Sequence, residues 1–498
     1  MSSTISTWPT REGHALRKRE RDHLLAITDS MLDGARQLPY LESASVRRMA
    51  SDILEAVPLL DAPAYEDARE EIARTAESLL SAASADTTTA RHELIDQLRA
   101  LKQRLLADTN IIYTVVFMPY NATMWDSLHT IWAAAEADPR VEAIVVPIPY
   151  ADRLPDGRAD AWHVHTNDLP PEVPVTPYTE FDLEATHPDV IYIHNPYDGN
   201  NRVTSVAPQF YSSELRPHTD LLVYVPYYVS ATATGQHLYQ SPSFELFDKV
   251  IAQSEEIDYP VIEKWTSNKV VPLGSPKFDY VRTVGDPPPP DWTESLRGRT
   301  ALLQVTSLST LLGPDRQGVM RKLNEVLDIV EASEDLMLWW RPHPLERATI
   351  TSMVPDIDAL YTAYEERARR SDRVIVDTSM DLQRAIHNTH AYYGQWSSIV
   401  QLFGFTGKPM VVQDANVQTN VPRPEGPEDD GPNAALTAYA RPEWFVFEGA
   451  IEYLRRMLSQ PDGRVPGQHE YFASLAAHSD GTAGQHIHDY VISCLTEA

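Results

Sequence analysis

Apolar residues recur at spacings of three and four through the N-terminal part of this chain. In RHELIDQLRALKQRLLAD, Leu94, Leu98, Leu101 and Leu105 make one stripe on a helix. Ile72, Ala76 and Leu79 repeat the spacing one helix earlier, after the acidic start YEDAREE. The pattern predicts an all-helical extension over residues 1–108. Its apolar stripe would cover the next domain, bind an acceptor or form a homo-oligomer contact.

From residue 111 the period changes. IIYTVVFM, VEAIVVPI, DVIYI, DLLVYV and DKVIAQ are short β-branched runs, and the stretches between them are long enough for helices. The clearest helix is MWDSLHTIWAAAEAD, with Trp125, Leu128 and Trp132 on one face. Strand and helix in alternation predict a parallel sheet covered on both faces. Four consecutive prolines, Pro287 to Pro290, bar helix and central strand and read as a stiff extended spacer. After them the alternation restarts through TALLQVTS, GVMRKLNEVLDIVEAS, LMLWWR, DRVIVD, AYYG and KPMVVQ, with a helix from Trp396. The expected class is α/β: two Rossmann-like domains, residues 109–284 and 285–498, behind the helical extension, the second ending in C-terminal helices. A cleft is expected between them, with ligands beyond the carboxyl ends of the strands. Asn416 to Asn433, rich in Pro, Gly and acids, reads as a loop, either a lid over that cleft or a surface excursion.

Composition narrows function more than fold. Across 498 residues, 71 acidic side chains against 42 basic ones give a formal charge of −29. This excludes the broad basic face that nucleic acid requires, although not a local cationic pocket. The single cysteine, Cys494, has no partner for an internal disulfide or a thiolate metal cluster. No apolar run reaches the ~20 residues that span a bilayer, and the N-terminus lacks a secretory apolar segment. The expected location is the cytoplasm. There Arg17, Lys18, Arg19 and Arg21 would form a solvated helix face, or draw the protein to an anionic inner membrane surface.

Candidate chemistry lies at the strand ends. Asp126, in PYNATMWDS, either charge-matches a helix start or serves an acceptor. IHNPYDGNN carries His194 and Asp198, which would suit a base and its orienter. The competing reading is an Asx turn through Asn195 and Asp198. In the second domain Thr306, Ser307 and Ser309 follow one strand, and the RPHP turn, Arg341 to Pro344, follows the next. Gln395, Trp396, Ser397 and Ser398 lie between a strand and a helix. A pair of hydroxyls beside free helix N–H groups suits a phosphate, where capping alone needs one serine. The pairs His163/His165 and His486/His488 lack a third ligand, so no metal site is expected from them, and any metal requirement stays open. No G-x-S-x-G elbow, G-x-x-x-x-G-K-S/T loop or G-x-G-x-x-G fingerprint occurs.

RPHP, followed about fifty residues later by YGQWSSIVQLFGFTGKPMVV, resembles the donor half of the CDP-glycerol glycerophosphotransferases, the teichoic-acid polymerases and primases of bacterial cell walls. LGSPKFD, Leu273 to Asp279, is similar to that family's Gly-x-Pro-x-x-Asp turn. The resemblance covers roughly residues 110 to 415. It implies the two-domain GT-B arrangement, with the donor in the second domain and the acceptor against the first. On it, Arg341 and His343 would contact the donor diphosphate, and Ser397 and Ser398 would hold phosphates from a helix N-terminus. Thr306, Ser307 and Gln395 would complete the donor site. The family's acceptor-side Trp-His-Gly histidine has no counterpart in VYVPYYVSATATG, which offers Tyr224, Tyr227 and Tyr228. His194 with Asp198, or Asp126, would have to take its place. An aspartate expected before the serine pair is replaced by Gly394 or Gln395.

The reading is a transferase, without a cofactor, that moves glycerophosphate or a related polyol phosphate from a CDP-activated donor. The acceptor would be a hydroxyl of a cell-envelope polymer or glycolipid at the membrane face. A nucleotide-sugar glycosyltransferase on the same fold and a catalytically silent binding or scaffold protein are the alternatives.

Overall fold

The computed structural model describes residues 16–38, 42–60, 62–81, 88–154, 156–201, 203–229, 241–255, 269–281, 287–379, 381–395, 397–413, 454–465 and 467–496. The loop expected at Asn416 to Asn433 lies outside them. The chain divides into two compact units, Met1–Thr114 with Asp138–Glu142, and Val115–Ala137 with Ala143–Ala498.

The first unit is helical, as its period of three and four demands. A two-residue strand, β1 (Leu16–Arg17), pairs in parallel with Ile111 and Ile112, and the helices Lys18–Ala35, Ser43–Ala56, Glu66–Ser81 and Thr88–Ala107 follow it. Leu94, Leu98, Leu101 and Leu105 are buried, as are Ile72, Ala76 and Leu79, so the stripe read from the sequence is this unit's own core. Within the basic cluster, Lys18 and Arg21 pair with Asp22, and Arg17 pairs with Glu142.

The second unit holds two Rossmann-like α/β lobes, the GT-B class of fold. In the first lobe, β2 (Ile111–Met118), β6 (Val190–Ile193), β8 (Leu221–Tyr224), β9 (Lys249–Ala252) and β10 (Val270–Pro272) run side by side and parallel, with β3 (Val141–Val145) also on β2. A three-stranded antiparallel sheet departs from the expected pattern: β4 (Tyr150–Arg153) sits between β5 (Ala159–His163) and β7 (Thr204–Val206). In the second lobe, β11 (Thr300–Val305), β12 (Leu336–Arg341), β13 (Val374–Val376), β14 (Ala391–Gln395) and β15 (Met410–Gln413) are all parallel, in the order 13-12-11-14-15. That is the doubly wound order, with its reversal between β11 and β14. Both faces of β12 are covered: Trp340 packs on Tyr364 at 4.8 Å between ring centres, and Trp339 packs on Trp292 at 5.2 Å. Parallel strands buried on both faces read as continuous apolar runs, and LMLWWR is one.

The proline spacer differs from expectation in its last residue. Pro289 is extended and Pro290 opens the helix Pro290–Leu296. At the first helical position the missing N–H has no intrahelical partner to lose. Just upstream lies the Leu273–Asp279 turn. Gly274 has φ +94°, and a Cβ there would collide with the Ala477 carbonyl, so only glycine serves. The Asp279 carboxylate accepts from the N–H groups of Ala483 (3.1 Å) and Gly484 (2.7 Å) and from Thr130 Oγ1 (3.0 Å). It thereby ties the final helix, Ala483–Thr496, to the helix His129–Ala137 of the first lobe. Asp279→Ala should lower the unfolding free energy by about 1–3 kcal/mol in a urea titration. Asp279→Asn, which keeps one acceptor oxygen, should recover part of the loss; equal losses would exclude the capping role.

Candidate functional site

Five parallel strands deliver their carboxyl ends to one edge of the second lobe. β12 ends at Arg341, and Pro342 and Pro344 flank His343 before the helix Glu346–Met353. The Arg341 guanidinium donates from Nη1 to Asp377 Oδ2 (2.8 Å) and from Nη2 to the Ser379 carbonyl (2.6 Å). Asp377 is fully buried, and its carboxylate also accepts from Trp339 Nε1 (3.0 Å) and the Ser379 N–H (2.8 Å). The buried cation is thus neutralised within the protein. Its remaining guanidinium N–H groups leave capacity for a ligand.

His343 is not cationic. Leu345 donates its backbone N–H to Nδ1 (3.1 Å), so the ring proton resides on Nε2. Burial pushes the imidazole down to about 4. At neutral pH it is an Nε2–H donor without charge. Beneath it, Glu346 is wholly buried, accepts the His343 N–H at Oε2 (2.8 Å), and is pushed by burial up to about 8.

The remaining donor candidates gather at the reversal between β11 and β14. Ser307 donates its backbone N–H to Gln395 Oε1 (2.8 Å), which joins the two strand ends, and Thr306 is buried beside it. Ser397 caps its own helix by accepting from the Ile399 N–H (3.2 Å), and Ser398 is the first residue of that helix, Ser398–Phe405. Trp396 lies outside the described residues. Position 394 admits no side chain: a Cβ there would stand 2.9 Å from the Val305 nitrogen. The lysine of the G-K-P stretch, Lys408, donates to the carbonyls of Ile386, His387 and Thr389 at 2.7–2.9 Å and so closes the helix Leu382–Asn388 rather than facing a ligand.

In the first lobe the anticipated base and orienter do not meet. His194 is fully buried, its Nε2 accepts from the Tyr120 N–H (3.1 Å) and its Nδ1 lies 3.1 Å from Ser127 Oγ. Both ring nitrogens are committed inside the core, and burial pushes the ring down to about 3. Asp198 sits at φ +50° and accepts at Oδ1 from the N–H and Oγ of Ser212, both at 3.0 Å. It starts the helix Ser212–Leu215 and does not orient His194. Asn195 makes the Asx turn, accepting from the Tyr197 N–H (3.1 Å). Asp126 is buried in an ion pair with Lys277 at 2.5 Å. None of these three carboxylate and imidazole groups lines the cavity described next.

That cavity has a volume of about 230 Å³ and lies between the RPHP turn and the first lobe. One wall is Arg341, Pro342, His343 and Pro344 with Asp377, Thr378 and Ser379; the facing wall is Asn121, Thr123, Tyr150 and His165. Thr306, Ser307, Gln395, Ser397 and Ser398 are outside it, at the adjacent strand ends. Asp377, Glu346, Tyr150 and His165 were missed in the sequence. Asp377 had a usable signal, as the first polar residue after the run VIV. His165 was read only as half of a histidine pair.

The chain matches no family model and no curated protein. Solved structures similar to it include MnaA from S. aureus in a structure with UDP, at 12% identity over 77% of this chain and 97% of that one, TM-score 0.46. A UDP-GlcNAc 2-epimerase from Neisseria meningitidis bound to UDP-GlcNAc shows 10% identity over 76% and 100%, TM-score 0.42. The wall teichoic acid polymerase TagF shows 12% identity over 82% and 97%, TM-score 0.41. No helix among the described residues is long and apolar enough to cross a membrane.

Proposed function

We propose that the chain is a transferase that moves glycerophosphate or a related polyol phosphate from a CDP-activated donor to a hydroxyl of a cell-envelope polymer or glycolipid. The observation that carries this reading is the adjacency of two features on one sheet edge: the β11/β14 reversal and the RPHP cavity. A doubly wound sheet receives a nucleotide outside the strand ends at its reversal. Thr306, Ser307, Gln395, Ser397 and Ser398 stand at those strand ends, and their hydroxyl and amide groups would serve it. The cavity, at about 230 Å³, is smaller than the roughly 300–1,000 Å³ of pockets for drug-sized ligands. It suits the reacting end of a donor whose nucleotide extends along the edge.

In that pose Arg341 and the Nε2–H of His343 would face the phosphoryl oxygens. The acceptor oxygen bonds to the β-phosphorus, the bond from phosphorus to the CMP oxygen breaks, and the acceptor proton passes to solvent or a base. Negative charge grows between the phosphates, and donors already fixed there stabilise it. Residues 109–284 would form the acceptor side and 285–498 the donor side.

The test is a donor screen. CDP-glycerol should bind and, with a polyol-phosphate acceptor, release CMP, while UDP- and GDP-sugars should not bind. Binding of the sugars alone would move the donor to a nucleotide sugar. No binding of any nucleotide at millimolar concentration would overturn the transferase reading.

A further inference from the structure

Tyr150 and His165 line the cavity opposite the RPHP turn and take no part in the transfer outlined above. His165 Nδ1 accepts from the Ala122 N–H (3.2 Å), and its Nε2 lies 2.9 Å from the Tyr150 hydroxyl. A backbone amide can only donate, so Nδ1 is bare and the proton of the neutral ring sits on Nε2. Burial favours that neutral ring by lowering its pKa. Nε2–H then donates to the Tyr150 oxygen, and the tyrosine's own proton has no acceptor on His165. Burial also pushes the Tyr150 hydroxyl up to about 12, which keeps it protonated. The Tyr150 oxygen therefore accepts from His165, and its own proton is free to donate at the cavity.

The rest of this wall is neutral as well. Thr123 donates its hydroxyl to Asn121 Oδ1 (2.7 Å), which leaves the Asn121 amide N–H groups as donors. The charged side chains of the lining, Arg341, Glu346, Arg347, Glu365 and Asp377, all come from the second lobe.

We propose that Tyr150 is a specificity-determining residue that donates a hydrogen bond to a polyol oxygen of the ligand, with His165 as the positioning residue that fixes its direction. The identity of the ligand as a polyol phosphate rests on the transferase reading. The phosphoryl group would lie toward Arg341 and the hydroxylated carbon chain toward Tyr150.

The experiment measures binding of sn-glycerol 3-phosphate and of inorganic phosphate by calorimetry, alongside melting temperature. Tyr150→Phe should weaken glycerol 3-phosphate about tenfold, the scale of one neutral hydrogen bond, and leave phosphate unchanged. His165→Leu should reproduce that loss. His165→Gln should not, because its amide can accept from Ala122 and donate to Tyr150 at once. Equal glycerol 3-phosphate binding by wild type and Tyr150→Phe, or no binding by folded wild type, overturns the proposal. If His165→Gln behaves as His165→Leu, the positioning role falls. Selective glycerol 3-phosphate binding without CMP release from CDP-glycerol supports Tyr150 and overturns only the transferase reading.

Discussion

Asp377→Ala should destabilise the protein by about 3–5 kcal/mol, the cost of leaving one member of a buried ion pair alone. The Arg341 side chain is only 8% exposed and Asp377 is fully buried, so water cannot take over the lost contact. The same carboxylate holds the Trp339 indole N–H and the Ser379 N–H, so three donors lose their acceptor together. Urea unfolding of Asp377→Ala, Arg341→Met and the double variant forms a cycle. The double variant should be more stable than Asp377→Ala, because the stranded cation is gone. A double variant that simply sums the two single losses would show the pair to be uncoupled.

His343→Ala should reduce acceptor-dependent CMP release at least about a hundredfold while leaving CDP-glycerol affinity nearly unchanged. Loss of one fixed donor to a developing anion costs on the order of 10²–10³ in kcat, and kcat rather than KM should carry it. The pH dependence separates this role from that of a titrating acid or base. With its ring held down at about 4, His343 stays neutral as pH falls from 7 to 5, so it adds no limb near 6.5 to kcat/KM. A limb at 6.5 that vanishes in His343→Ala would contradict the neutral-donor role. Stability has its own sign. His343 and His194, at about 4 and about 3 in the fold against about 6.5 when unfolded, bind fewer protons folded than unfolded. Their contribution is complete above about 6.5 and is lost as pH falls through the folded values.

The parallel sheets were legible because both their faces are buried. Runs such as LMLWWR and IIYTVVFM need no partner strand to be recognised. The antiparallel sheet was not: β5, ADAWH, is exposed throughout, so no alternation marks it. With β5 went β4 and Tyr150, and the cavity's first-lobe wall. On the other wall, Arg341 and His343 could be nominated from the turn, but their charge state could not. It depends on register: Trp340 lies opposite Val376, which brings Asp377 beside Arg341. His194 and Asp198 failed for a local reason. A spacing of four implies contact on a helix, and here the backbone turns left-handed at Asp198 and sends its carboxylate to Ser212.

The final helix also shapes how the lobes can move. The chain passes from first lobe to second before Pro290 and returns near Leu475–Ala477, where Gln253 bonds the Leu475 carbonyl (2.6 Å) and the Ala477 N–H (2.8 Å). Among the described residues these two crossings join the lobes covalently. They limit how far the lobes can separate, whatever direction a motion takes. The helix Pro276–Val281 belongs to both lobes: Asp279 holds the final helix and Thr130, while Phe278 packs on Phe405 at 5.5 Å, so closure on a ligand would have to carry or break one of these contacts.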